Sequence, residues 1–186
     1  MRLIQPWKIQ IGHQNIAHLV DLEKLKDEIL QLHCLTHNDD SKPHVTSVEE
    51  SPEVCRVRDL IITPLVTDFA REVFDFDMVG QEFTVDTFGK WFKAGQELTA
   101  HLHGGTGITT VFYPSATEAQ LIAFDPRGNA CRGYPREIRD NHFGNYTIHP
   151  EAGDLYIIPS YIQHCVTTVS EDMRLSLVSD YVFRQG

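Results

Sequence analysis

A mainly β fold, a barrel or sandwich with helical support, is the class that the sequence predicts, and three observations predict it. Apolar residues recur at helical spacing only within the first 80 residues. After Gly80 the chain breaks into short strand-like runs punctuated by Gly and Pro. A length of 186 residues, 41% of them hydrophobic, suits one domain with a buried core. We therefore expect a single domain over 1–186, with helical support and a loop in 1–80 and the β core in 81–186.

Taken in order, Leu3, Ile4, Trp7, Ile9 and Ile11 alternate with polar residues and read as a short strand. From Asn15, the residues Ile16, Leu19, Val20, Leu22, Leu25, Ile29, Leu30 and Leu32 recur at three- and four-residue spacing, which predicts an amphipathic helix ending near Thr36. Residues 37–53 hold Asn, Asp, Ser, Glu and Pro in quantity and read as a loop long enough to serve as a lid. A second helix is expected around Leu60, Ile61, Leu65, Val66, Phe69, Ala70 and Val73, with Pro64 in its first turn or kinking it. Both helices would cover one face of a sheet. Strands are expected at 83–92, 98–102, 107–113, 120–124, 154–158, 165–169 and 175–183.

A net charge of −10 argues against a broad nucleic-acid surface, which needs a basic face. No apolar run approaches the roughly 18 to 20 residues of a membrane span, and residues 1–12 lack the apolar stretch and cleavage site of a signal peptide. The four cysteines stand far apart without a CxxC pair. A soluble, unprocessed, cytoplasmic protein with reduced thiols is the expectation.

The chemistry is carried by histidines. His101 and His103 stand two apart near a strand end, and a period of two puts both side chains on one face. Taken alone, such a pair is more often a surface feature. His164, however, follows a turn at Gly153, a strand and the stop at Pro159, so it too lies at a strand mouth. Gly104 and Gly105 would let backbone approach closely. Three converging imidazoles suit a first-row transition metal such as Fe(II). The other seven histidines show no comparable pairing.

These residues resemble the prolyl-4-hydroxylase-like 2-oxoglutarate/Fe(II) oxygenases over roughly residues 83–183, particularly a bacterial and phage group with an H-x-H motif. The resemblance implies a double-stranded β-helix, a jelly-roll shared with cupins, with the N-terminal helices packed on one sheet. It implies iron held at His101, position 103 and His164, with His103 standing where such enzymes carry a carboxylate. It also implies that Arg174, with Ser176 two residues on, binds the distal carboxylate of 2-oxoglutarate, assisted by Tyr113 and Thr109. Molecular oxygen is then the co-reactant, and the activity is hydroxylation of a C–H bond in a peptide or small-molecule substrate.

Two other readings stay open at this point. Gly95 followed by His101-x-His103, and Gly153 followed by Pro159 and His164, also resemble the two cupin motifs, though the glutamate expected after His103 is missing. A three-histidine cupin dioxygenase would not need Arg174. A non-catalytic ligand-binding barrel would suit the lost carboxylate. The segment 125–154, with Arg127, Arg132, Arg136, Arg139, Tyr134, His142, Phe143 and Tyr146, is expected at the barrel mouth, either gripping an acidic substrate or pairing within itself. The substrate and the oligomeric state, a homodimer through edge strands included, are left open.

Overall fold

The computed structural model describes residues 9–36, 43–170 and 173–184. Leu3, Ile4 and Trp7, most of the expected first strand, and residues 37–42 of the expected lid lie outside them. The strand that forms, β1, is Gly12–Asn15. A single 3-10 turn at Ala17–Leu19 precedes helix α1, Leu22–Thr36. The predicted helix is thus split at Val20, which is extended, and Asp21 starts α1 afresh by accepting a hydrogen bond from Lys24 N.

The expected loop at 37–53 is corrected by the structure. His44–Ser47 is a strand, β2, paired with β3 at the edge of the large sheet. Ser51 then caps helix α2, Pro52–Val57, by accepting from Val54 N at 3.0 Å. The chain passes through a π turn at Arg58–Ile62 into helix α3, Thr63–Phe74. The widened turn sits where Pro64 would otherwise meet the carbonyl four residues back, so the proline is absorbed without ending the helix.

The β core follows: β3 (Phe83–Lys93), β4 (Leu98–His101), β5 (Ile108–Phe112), β6 (Leu121–Ala123), helix α4 (Arg136–His142), β7 (Tyr146–Ile148), β8 (Asp154–Pro159), β9 (His164–Val166) and β10 (Met173–Phe183). All seven expected strands form. Helix α4 and strand β7 were not foreseen. Two sheets face each other, in the orders β1-β8-β5-β10-β3-β2 and β4-β9-β6-β7, every pairing antiparallel. This is the double-stranded β-helix. Because β1 and β2 join the larger sheet and α4 falls among the later strands, a boundary at residue 80 divides neither the sheet nor all the helices from the strands.

The larger sheet is covered on both sides. Leu175, Leu177 and Tyr181 of β10, with Ile108, Phe112, Leu155 and Ile157, pack against Leu25, Ile29, Ile62, Val66 and Phe69 from the helical side. The opposite faces of the same strands, Val111, Tyr113, Tyr156, Ile158 and Val178, form a second core inside the barrel with Leu121, Ala123 and Ile148. At Gly153 (φ +86°) a Cβ would stand 2.5 Å from Ala17 Cβ and 2.8 Å from Ala17 N. The Gly153 carbonyl there accepts a hydrogen bond from Ile16 N at 2.8 Å. Gly153→Ala should therefore cost at least about 2 kcal/mol, from left-handed backbone plus the collision with backbone, and thermal unfolding against the parent measures it.

Candidate metal centre

Strands β4 and β9 meet with His101 directly opposite His164, and an irregularity in the ladder between Leu98 and His101 turns His101 toward the barrel. Their ring centroids are 4.5 Å apart. His103 lies two residues beyond the end of β4, so the ladder does not hold it. Its carbonyl accepts from Thr106 Oγ1 at 3.0 Å, and its Nδ1 lies 2.9 Å from the Asp180 carboxylate. Ring centroids of His103 stand 5.3 Å from both His101 and His164. Gly105 supplies the left-handed turn residue (φ +88°) after His103, but nothing lies within 4 Å of a Cβ built there. The expected close backbone approach at this glycine pair is not what the structure uses.

The three rings share one pattern. His101 Nδ1 is 2.9 Å from Thr99 O and His164 Nδ1 is 3.1 Å from Ile162 O, while His103 Nδ1 faces Asp180. An acceptor at Nδ1 fixes the proton there and leaves the Nε2 lone pair for a ligand. The three residues offer ligand atoms that all lie within 4.8 Å of one another. Burial, reinforced by the neighbouring imidazoles, pushes the His164 pKa down to about 4, and burial likewise lowers that of His101. His101 and His164 are thereby held neutral near pH 7, the state that metal ligation needs. The donor set therefore fits a divalent first-row metal.

Asp180 was not foreseen. It is 9% exposed, and besides His103 it takes a hydrogen bond of 2.6 Å from Thr109 Oγ1, which in turn meets Ser160 Oγ at 3.2 Å. Thr109 is thus brought to the His103 end of the barrel. Tyr113, four residues along the same strand face and so roughly 13 Å away, is brought to the opposite end.

At that far end sits Arg174, 2% exposed and the largest fully buried side chain. Glu171 and Asp172, the partners that a surface reading would give it, lie outside the described residues, and Arg174 itself is not at the surface. Arg174 donates to Tyr113 Oη at 2.9 Å and to Ser176 Oγ at 3.3 Å, and its Cζ lies 4.9 and 5.1 Å from the ring centroids of Phe92 and Tyr113. Its Nε has no partner, and among the described residues no carboxylate pairs with it. A buried guanidinium without an anion is costly unless a ligand supplies one. Both hydroxyls accept from Arg174 and keep their own O–H to donate. Burial raises the Tyr113 pKa, against the opposing pull of Arg174, which keeps that proton in place. The arrangement can grip one carboxylate by a guanidinium and two hydroxyls.

A cavity of about 200 Å³ joins the two ends, lined by His101, His103, His164, Lys90, Arg174 and Ser176. Lys90 of β3 also escaped the sequence reading. Its signal was available as the same-face series Phe88, Lys90, Phe92. In segment 125–154, Arg127 pairs with Asp125 at 2.6 Å and stacks on Phe143, and Arg136 pairs with Asp140 at 3.2 Å. Those two arginines pair within the segment.

Residues 89–180 match the family model described as "Putative 2OG-Fe(II) oxygenase". No curated protein matches the chain. Among solved structures, an oxidoreductase of the 2OG-Fe(II) oxygenase family from Burkholderia pseudomallei is 14% identical, with a TM-score of 0.65 over 95% of this chain and 85% of that one. A prolyl-4-hydroxylase from Pseudomonas putida is 15% identical, with a TM-score of 0.66 over 95% and 94%. HygX from Streptomyces hygroscopicus, crystallised with nickel, 2-oxoglutarate and hygromycin B, is 15% identical, with a TM-score of 0.62 over 94% and 83%. The shared architecture is the double-stranded β-helix.

A pH dependence follows from His164. Its folded pKa, about 4, lies below the ordinary 6.5, so between those values the unfolded chain binds the extra proton. Metal-free protein should therefore be destabilised as pH falls from 6.5 toward 4, with His164 contributing up to about 1.4 kcal/mol per pH unit. Chelator-treated protein melted across that range should show the slope, and His164→Gln should flatten it.

Proposed function

Residues 89–180 belong to the 2OG-Fe(II) oxygenase family, and from that premise we propose that this oxygenase hydroxylates a C–H bond of a small-molecule or peptide substrate at a centre held by His101, His103 and His164. The observation that carries the reading is Arg174: a buried guanidinium, unpaired with any described carboxylate, facing three lone-pair-forward imidazoles across one cavity. Iron, when bound with 2-oxoglutarate, supplies oxygen activation, one oxygen atom entering the substrate C–H bond and the other the succinate formed on loss of carbon dioxide.

The residues of the chain divide the remaining work. His101 and His164, opposed across β4 and β9, and His103, held from behind by Asp180, present Nε2 to the metal. Arg174, Ser176 and Tyr113 hold the distal carboxylate of 2-oxoglutarate and so aim its other end at the imidazoles. Thr109 acts through Asp180, donating to the carboxylate that orients His103. Val111, Leu121, Val166 and Val178 wall the cavity and exclude water. A cupin-type three-histidine dioxygenase or a non-catalytic barrel gives Arg174 no task, and its burial disfavours both.

A second cavity, about 1050 Å³, is lined by Ile11, His13, Phe124, Arg127, Tyr156 and Tyr161. Its wall includes Ala123, which pairs with His164, and Ile162, whose carbonyl faces His164 Nδ1. We assign the substrate to it. Its size admits a small molecule or a peptide side chain. Among the described residues no helix is long and apolar enough to cross a membrane, and the free thiols Cys55, Cys131 and Cys165 support a reducing, cytoplasmic setting.

Two measurements test the site. Anaerobic Fe(II) with 2-oxoglutarate should give a visible charge-transfer band, and Arg174→Met should raise the 2-oxoglutarate concentration needed for it by about 30-fold or more, as expected when a buried charge loses its partner. An unchanged titration removes Arg174 from cosubstrate binding. Asp180→Asn should weaken metal binding about 10- to 100-fold while leaving the fold intact, read by competition with a chelating dye and by circular dichroism.

A further inference from the structure

Lys90 has no part in the reading above, although it lines the same cavity as the three histidines and Arg174. It stands on β3 directly opposite Ser176 of β10, one same-face step from the Phe92–Arg174 pair. Its Nζ lies 6.0 Å from the Phe92 ring centroid, the ring on which Arg174 also rests at 4.9 Å. The ammonium therefore leans toward Arg174. Among the described residues no carboxylate pairs with Lys90, and Asp180, which shares the interior face of β10, is engaged by His103 and Thr109. Burial, with Arg174 adding to it, lowers the Lys90 pKa, as for an ammonium held without a counter-ion.

A chain of net charge −10 thus places a buried Arg174 and a half-buried Lys90 over one shared ring, Phe92, with no carboxylate among the described residues paired to either. Two cations converging on a small cavity fit an anion with two acceptor oxygens, one for each donor. Resting on the cosubstrate reading, we propose that Lys90 is a second cation for the distal carboxylate of 2-oxoglutarate. It is a specificity-determining residue that, with Arg174, makes the site select a 2-oxo dicarboxylate over a 2-oxo monocarboxylate. Phe92, which both cations approach, is the apolar floor they share beside that carboxylate.

Binding to the Ni(II)-loaded full chain, measured by calorimetry, tests this without turnover. The probes are 2-oxoglutarate and 2-oxopentanoate, which lacks the distal carboxylate. In Lys90→Met the affinity for 2-oxoglutarate should fall at least ten-fold, that for 2-oxopentanoate should stay within two-fold of the parent, and Ni(II) affinity should not change. Lys90→Arg should recover most of the loss. Unchanged 2-oxoglutarate binding by Lys90→Met overturns the proposal, and so does an equal loss for both probes, which would put Lys90 at the metal-side carboxylate. If the Ni(II)-loaded parent itself binds neither acid, the cosubstrate reading falls, and Lys90 with it.

Discussion

The side-chain alternation of β10 is the constraint on which the rest of the molecule depends. Leu175, Leu177 and Tyr181 point to the helical layer, while Arg174, Ser176, Val178 and Asp180 point into the barrel. A slip of one residue would exchange the two sets, driving a guanidinium and a carboxylate under the helices and three apolar side chains into the site. Burial of each such apolar side chain stabilises the native register by about 1.5 to 3 kcal/mol. The strand is also fixed on both edges, against β3 along its whole length and against β5 over five pairs. Tyr181 Oη, 2.8 Å from Thr63 Oγ1, ties the same strand to α3. The helices therefore do more than cover a sheet. They set the register that faces Arg174 and Asp180 inward.

What the sequence made legible follows from the same alternation. His101 and His103 could be picked out because a third histidine, His164, stands in a matching strand environment, and Arg174 with Ser176 through the resemblance to the 2-oxoglutarate oxygenases. Steps of two along β10 from Ser176 reach Asp180, but a lone aspartate in a strand carries no sign of its partner until β10 is laid beside the turn that holds His103. Lys90 was hidden for the converse reason. Its same-face neighbours Phe88 and Phe92 were visible, yet only the pairing of β3 with β10 puts it beside Ser176. Strand β2 was illegible because four residues at a sheet edge are held by backbone pairing with β3, and their composition is that of a loop. The π turn is different: Pro64 announced a disturbance of the helix, but not that widening of the preceding turn would absorb it.

The electrostatics of the centre turn on where negative charge is kept. A carboxylate ligand would reduce the charge of a divalent metal directly. Here position 103 is histidine, and the nearest carboxylate, Asp180, acts through that imidazole at 2.9 Å. Its own position is enforced by Thr109, and Thr109 by Ser160, so the charge is displaced outward by one side chain but not discarded. A metal at this site keeps more of its positive charge toward the cavity than one ligated by a carboxylate.

That displacement makes sense of the cavity as a whole. Three imidazoles direct Nε2 at one end, and Arg174 with Lys90 offers positive charge at the other, with no carboxylate among the described residues that line the space between. Such a cavity is complementary to a metal ion and a dianion together and poorly matched to either alone: the metal without the dianion leaves repelling positive charges along one cavity, and the dianion without the metal has only one end held. The two ligands should therefore bind with positive coupling, each repaying the electrostatic cost of the other, and the residue that departs from the expected carboxylate, His103, is what sharpens that coupling.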